Sequence, residues 1–258
     1  MCAATSPRPT QMGGRSLFAA LAVLTILPGA AIPACRDMVY QDLGYTLCSF
    51  DPATAGLRLF RLAPDGKVLG TFGRVNQMLA RSGKALDFAM NAGMYHPDRA
   101  PVGLYIEDGK KQAPAVASAG PGNFGLLPNG ILCLGDHSAQ VIETRTYLAD
   151  PPECRYATQS GPMLVIDGKL HPRFLPDSDS RHIRNGVGVD AGGIVHFAIS
   201  DQPVTFHEFG RFFRDALGTP NALYLDGKVS KLHAPELHRS DGGLPMGPIV
   251  GAVVAAPR

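Results

Sequence analysis

From Cys35 onward, short apolar runs alternate with polar positions and are cut by Gly, Pro and Asp. Leu57-Arg58-Leu59-Phe60-Arg61-Leu62 meets Pro64-Asp65-Gly66 and then Lys67-Val68-Leu69-Gly70. The pattern returns at Gly103-Leu104-Tyr105-Ile106 before Asp108-Gly109-Lys110, and at Met163-Leu164-Val165-Ile166 before Asp167-Gly168-Lys169-Leu170. Each predicts two strands joined through an Asp-Gly turn, because Asp-Gly tolerates the positive φ angles that a tight hairpin needs. Helical periodicity is confined to Val75–Ser82 and Thr205–Leu217. In the second segment Phe206, Phe209, Phe213 and Leu217 recur at helical spacing and are expected to pack on a sheet as core. No fixed-period repeat appears, and the Pro- and Gly-rich stretch 113–122 reads as a surface loop. Strands outnumber helices without alternating with them. That excludes a doubly wound sheet or an eightfold βα barrel, both of which need a helix after nearly every strand. The prediction is an α+β fold: one domain with a largely antiparallel or mixed β-sheet and a few packed helices.

The first 34 residues read differently. Arg8 and Arg15 precede the apolar run Leu17–Leu27, and small residues and prolines follow up to Ala34, without any acid. This predicts an export signal over 1–34, with cleavage after Ala34, and a folded domain over 35–258. The run is shorter than the roughly 20 residues of a spanning helix, so no membrane span is expected in the mature chain. A lipid anchor on Cys35 fits less well, because Pro33 disturbs the usual lipidation pattern. Without the leader, 22 basic and 22 acidic residues remain, with no basic cluster. A nucleic-acid partner is excluded on that ground. About 224 residues suit a single sheet-rich domain.

Exporting the chain changes the reading of its cysteines. Cys35, Cys48, Cys133 and Cys154 form an even set, consistent with two disulfides and three possible pairings. Pairing Cys35 with Cys48 and Cys133 with Cys154 closes the shortest loops. No spacing matches a zinc site, and the location implied is periplasmic or secreted.

Polar residues gather where the apolar runs end. Arg184-Asn185 opens Gly186-Val187-Gly188-Val189, and Asn221-Ala222-Leu223-Tyr224-Leu225 runs into Asp226-Gly227 with Ser230 beyond. Asp87-Phe88-Ala89-Met90 leads to Asn91-Ala92-Gly93-Met94-Tyr95, and Ser160-Gly161-Pro162 precedes another apolar strand. Arg184 carries a fixed charge on a planar fork that suits two phosphate oxygens. Ser160 lacks a nucleophile elbow and reads as a hydrogen-bond donor beside the free amide of Gly161. Asp201, after Ile199-Ser200, is a second carboxylate at a predicted strand end. Asn91 and Ser160-Gly161 equally suit turns, and Arg184 a surface ion pair.

Those four segments together resemble the phosphodiester glycosidase family across nearly the whole mature chain. The family reads N-G-G followed by aromatics where this chain has Asn91-Ala92-Gly93-Met94-Tyr95, and D-G-G-G-S where it has Asp226-Gly227-Lys228-Val229-Ser230. The resemblance implies hydrolysis of a sugar-1-phosphodiester. It implies Asp226, Arg184 and Asn91 as catalytic residues and Gly93, Tyr95, Ser160, Gly161, Asn185, Asp201, Gly227 and Ser230 as substrate-binding ones. The implied partner is a small-molecule or glycan phosphodiester, with neither cofactor nor metal. Three other readings remain open on sequence: a glycan-binding protein of the same fold without turnover, a metal-dependent phosphodiesterase using His171, Asp177, Asp179 and His182, and a structural envelope protein.

Overall fold

Three antiparallel sheets account for the strands. In a computed structural model, residues 1–4, 34–226 and 229–256 are described. Most of the expected export signal, and Gly227 with Lys228, lie outside the described residues. One sheet has seven strands in the order Cys35–Tyr40, Leu43–Phe50, Val195–Ser200, Asn185–Val189, Asn221–Asp226, Met163–Ile166 and Lys169–Leu170. A five-stranded sheet runs Arg239–Ser240, Leu232–Ala234, Lys84–Asn91, Ile249–Ala255 and Leu57–Phe60. A second runs Lys110–Ala113, Tyr105–Glu107, Tyr156–Ser160, Gly130–Leu134 and Ala139–Glu143. The α+β expectation holds, and every strand pairing described within these sheets is antiparallel. Residues 33–258 form one compact unit.

The Asp-Gly turns act as read. Asp108 and Gly109 have φ of 50° and 74°, and Asp167 and Gly168 have 46° and 75°. Positive φ at both central residues matches the right-handed twist of the strands they join. After Leu57–Phe60, by contrast, the return arm is reduced to a single bridge, Leu62 to Val68.

The first helix spans Phe72–Ala80, three residues earlier than periodicity placed it, because Thr71 caps it by accepting a hydrogen bond from Arg74 N at 3.3 Å. The second predicted helix is present as Phe206–Arg211 continuing into a π-helical turn, Phe212–Ala216. Thr205 and Glu208 close a capping box at its start. Phe209, Phe212 and Phe213 are fully buried against Tyr45, Leu164 and Tyr224 of the seven-stranded sheet. A short helix, Thr144–Ala149, capped by the Glu143 carboxylate, has no counterpart in the sequence reading.

Both expected disulfides are present, Cys35–Cys48 and Cys133–Cys154. Cys35 and Cys48 are directly paired across neighbouring strands, and Cys133–Cys154 closes a loop with a sequence separation of 21. Closing such a loop restricts the unfolded chain, so replacing Cys133 and Cys154 together by Ser is expected to cost about 2–4 kcal/mol. Urea midpoints of the oxidised parent and the double variant check this; coincident midpoints would contradict it. No helix among the described residues is long and apolar enough to cross a membrane, and the two disulfides suit an oxidising compartment outside the cytoplasm.

Candidate active site

The strand Asn221–Asp226 is buried from Ala222 to Leu225 and carries Asp226, half-buried, at its C-terminal end. There Asp226 lines a cavity of about 750 Å³. Its walls come from residues 94–102, 116–124, Asp226 and Val229, and Leu244-Pro245. The volume lies within the roughly 300–1,000 Å³ usual for small-molecule sites.

A tight reversal builds the side facing Asp226. Tyr95 bridges to Pro101, His96 N donates to Ala100 O at 2.8 Å, and Arg99 N donates back to His96 O at 2.8 Å. Arg99 adopts a positive φ of 70°, and its guanidinium carbon lies 5.1 Å from the centre of the Tyr95 ring. That is cation–π range. Tyr95 itself packs on Gly247, where an added Cβ would stand 2.5 Å from the tyrosine side chain. Burial first, and then the negative charge of Asp226, push the Tyr95 hydroxyl up, while Arg99 opposes them. The phenol therefore stays neutral through the physiological range, and Tyr95, Arg99 and Asp226 share one electrostatic neighbourhood.

Of the residues expected to form the site, Asp226 and Tyr95 line this cavity. Asn91 and Asn185 do not; both are fully buried and form a clamp between two sheets. Asn185 Nδ2 donates to Asn91 O and Asn91 Nδ2 donates to Asn185 Oδ1, each at 3.1 Å. Asn185 Oδ1 also accepts from Asp226 N and from Ser230 Oγ, both at 3.1 Å. Asn91 Oδ1 accepts from Lys231 N at 2.9 Å. Ser230 Oγ further contacts Ile183 O and Asp226 O. The register explains the convergence: Asn185 pairs with Asp226, and a bulge follows before Gly186 pairs with Tyr224. These side chains hold Asp226 from below. Gly227 lies outside the described residues.

Ser160, also fully buried, donates to Leu225 O at 2.9 Å, so its hydroxyl ties the neighbouring sheet to the strand that carries Asp226. Gly93, at φ 129°, and Gly161 allow close approach of protein to protein. A Cβ on Gly93 would stand 3.0 Å from Thr158 Oγ1, and one on Gly161 2.0 Å from Asn129 Oδ1.

Arg184 is completely buried. Its Nε donates to Val204 O at 2.8 Å and its Nη2 to Ser180 O at 2.9 Å. The guanidinium lies 3.7 Å from the Phe206 ring centre and 5.5 Å from that of Tyr224, while Nη1 meets no acceptor of good geometry. Burial lowers the pKa of Arg184, against the pull of Tyr224 and Glu208. Tyr224, raised chiefly by burial, senses both Arg184 and Asp226. Arg184 is thus a cation behind the strand that bears Asp226, and it is absent from the cavity lining.

Asp201 is held elsewhere. Its carboxylate accepts from Thr46 Oγ1 at 3.2 Å and lies 3.5 Å from Arg239. Among the described residues Asp226 is the sole carboxylate lining the cavity, so the two aspartates do not share it. His171 spends both ring nitrogens on the backbone, at Leu127 O and Arg173 N. Burial depresses its pKa, and among the described residues no group of three His, Cys, Asp or Glu is placed to hold a metal.

Sequence reasoning passed over Arg99 and Phe124 and reads His96 as a structural or surface residue, yet all three line the cavity. The local signal at Arg99 was only the turn-forming Pro97-Asp98 before it, which any surface loop could show.

Comparisons with known proteins bear on the fold and the family. The chain is 31% identical over 212 residues to the uncharacterized protein YigE of Escherichia coli, covering 81% of this chain and 82% of that one. Its fold superposes on the zebrafish N-acetylglucosamine-1-phosphodiester alpha-N-acetylglucosaminidase catalytic domain, auto-inhibited by its pro-peptide. The TM-score is 0.59 at 11% identity, over 89% of this chain and 85% of the zebrafish chain. A hypothetical protein from Synechocystis superposes with a TM-score of 0.54 at 12% identity; the match covers 85% of this chain and 61% of the cyanobacterial one. The family model described as phosphodiester glycosidase matches residues 84–234, the span from the Asn91 strand through Asp226 to Ser230. On the strength of that match the chain belongs to the phosphodiester glycosidase family.

Proposed function

We propose that the protein is an exported hydrolase, working in the periplasm or outside the cell, that cleaves a sugar joined through its anomeric carbon to a phosphodiester. The observation that carries this reading is a cavity of suitable size whose described lining holds one carboxylate, Asp226, and one arginine, Arg99, the latter stacked on Tyr95. A phosphate monoester leaves far more readily than a sugar alkoxide. The bond therefore needs little general-acid help and more stabilisation of the departing anion. This suits a described lining with a single carboxylate better than the paired carboxylates of ordinary glycosidases. In the proposed mechanism Arg99 holds the phosphoryl oxygens with its planar fork. Asp226 faces the oxocarbenium-like carbon or orients the attacking water. Asn185, Asn91, Ser230 and Ser160 fix the strand end that bears Asp226, and Arg184 supplies a buried positive field behind it.

The test is release of sugar from a panel of sugar-1-phosphodiesters by the purified protein, with and without chelator. Arg99→Ala is expected to raise KM about 10- to 100-fold, the worth of one charge-assisted hydrogen bond, with Arg99→Lys recovering part of it. Silence across the panel, or unchanged kinetics in Arg99→Ala, overturns the assignment. One observation favours a second reading, glycan binding without turnover. Val229, which stands where the family has glycine, lines the cavity.

A further inference from the structure

The cavity lining is of two chemical kinds, and His96 and Ser118 add to its polar members. Tyr95, Arg99 and Asp226 form a polar cluster, joined by the 5.1 Å stacking of Arg99 on Tyr95 and by the effect of Asp226 on the Tyr95 hydroxyl. Much of the remaining wall is hydrocarbon, including Met94, Val102, Val116, Phe124, Val229 and Leu244. A sugar and a phosphate together offer this wall little to desolvate. Burying hydroxyl-rich groups against it without hydrogen-bond partners is unfavourable, whereas burying methylenes is favourable.

Leu244 sharpens the point. Leu244 is 70% exposed while lining the cavity, yet the backbone that presents it is anchored. Lys231, itself buried, donates its Nζ to Leu244 O, Tyr95 Oη lies 3.4 Å from Pro245 O, and Met246 N donates to Gly70 O at 2.8 Å. An exposed leucine on an anchored backbone adds accessible apolar surface to the cavity lining. The cation at Arg99 beside that wall matches an amphiphile with an anionic head.

We propose that this cavity is specific for phosphate esters of an apolar, alkyl-type alcohol: Arg99 takes the phosphate and the hydrocarbon wall seats the chain. The proposal rests on the glycosidase reading for the bond that is cut, but its binding component can be measured without turnover. Methyl, butyl and octyl phosphate, each below its critical micelle concentration, are titrated into the full protein by calorimetry with glycerol phosphate as the polar comparison. The same alcohols are then offered as sugar-1-phosphodiesters. Affinity is expected to rise about four-fold per seated methylene, so that octyl phosphate binds on the order of 50-fold or more tighter than methyl phosphate with three or more methylenes seated. Leu244→Ser, at an exposed position, is expected to narrow that ratio.

Methyl and octyl phosphate binding within about three-fold of each other, or glycerol phosphate binding tightest, overturns the proposal. So does a chain-length dependence that Leu244→Ser leaves untouched, because the alkyl group would then be seated elsewhere. Chain-length-dependent binding with no turnover of any sugar-1-phosphodiester sinks the hydrolase reading and leaves the apolar subsite standing.

Discussion

Replacing the Asp226 carboxylate by its isosteric amide, Asp226→Asn, is expected to lower kcat by about 10²- to 10⁴-fold, the span typical of a removed catalytic carboxylate or of lost transition-state stabilisation. The physical ground is position and charge. Asp226 brings the one carboxylate found in the described cavity lining, at the end of a strand whose preceding residues are fully buried. An amide keeps the shape and removes the negative charge that would face a developing oxocarbenium ion. Because shape is kept and Asp226 N still donates to Asn185 Oδ1, the fold should change in stability by no more than about 1 kcal/mol. The comparison to make is kcat on the best panel substrate beside a thermal melt of the same preparation. Wild-type turnover in Asp226→Asn would remove Asp226 from the chemistry. Loss of turnover together with a large drop in melting temperature would mean that a structural role had been mistaken for a catalytic one.

The second large effect concerns stability. Asn185→Ala deletes three hydrogen bonds at once, to Asn91 O, from Asn91 Nδ2 and from Asp226 N, and removes one of the acceptors within reach of the Ser230 hydroxyl. Ser230 retains its bond to Ile183 O. Asn91 O and Nδ2 lose a partner at a fully buried residue and Asp226 N at a half-buried one, and each unsatisfied buried group costs about 1–3 kcal/mol. With partial relaxation the expected total is about 3–5 kcal/mol, near the upper end for a point substitution. For a domain of this size that corresponds to a fall in melting temperature of roughly 6–20 °C. Turnover should fall as well, because Asp226 N loses its anchor.

Asn185→Asp separates the two roles of this side chain. Its oxygens can still accept from Asp226 N and Ser230 Oγ, but an ionised carboxylate turns an oxygen towards Asn91 O, where the amide donated a hydrogen. Only the protonated acid can donate there, so the folded-state pKa of the introduced carboxyl should be raised. A raised folded value means that the contribution to stability is fully present below the unfolded carboxyl pKa of about 3.9. It is lost as pH rises through the folded value. The gap in melting temperature between parent and Asn185→Asp should therefore be smallest in acid and widen towards neutrality. A gap independent of pH, or an Asn185→Ala variant that melts within 2 °C of the parent, would count against the clamp.

Local patterns carried much of the fold. Asp108-Gly109 and Asp167-Gly168 specify their hairpins because few residue pairs accept positive φ twice in succession. The cysteines paired as loop length suggested, since short loops bring their ends together at the lowest entropic cost. The phenylalanine spacing in 205–217 marked a helix, because the period of 3.6 is a property of the chain itself. The start of the first helix was misplaced for an equally local reason: the cap at Thr71 lies before the apolar positions that signal periodicity.

Legible in the chain, then, were the α+β character, an even set of cysteines whose shortest-loop pairing is the observed one, the family, and the presence of polar residues at strand ends, including Asp226. Which of those residues line the cavity is set by the packing of the sheets. Asn91, Asn185, Arg184, Asp201 and Asp226 look alike in the chain, each a polar group where an apolar run begins or ends. The sheets then pair Asn185 with Asp226, bring Asn91 across to meet them, and fold Phe206 and Tyr224 over Arg184. Arg99, with no such pattern around it, is brought over Tyr95 at the cavity by a reversal of the chain. A buried clamp and a ligand contact draw on the same side-chain chemistry, and what separates them is the cross-strand register and packing of segments far apart in the sequence.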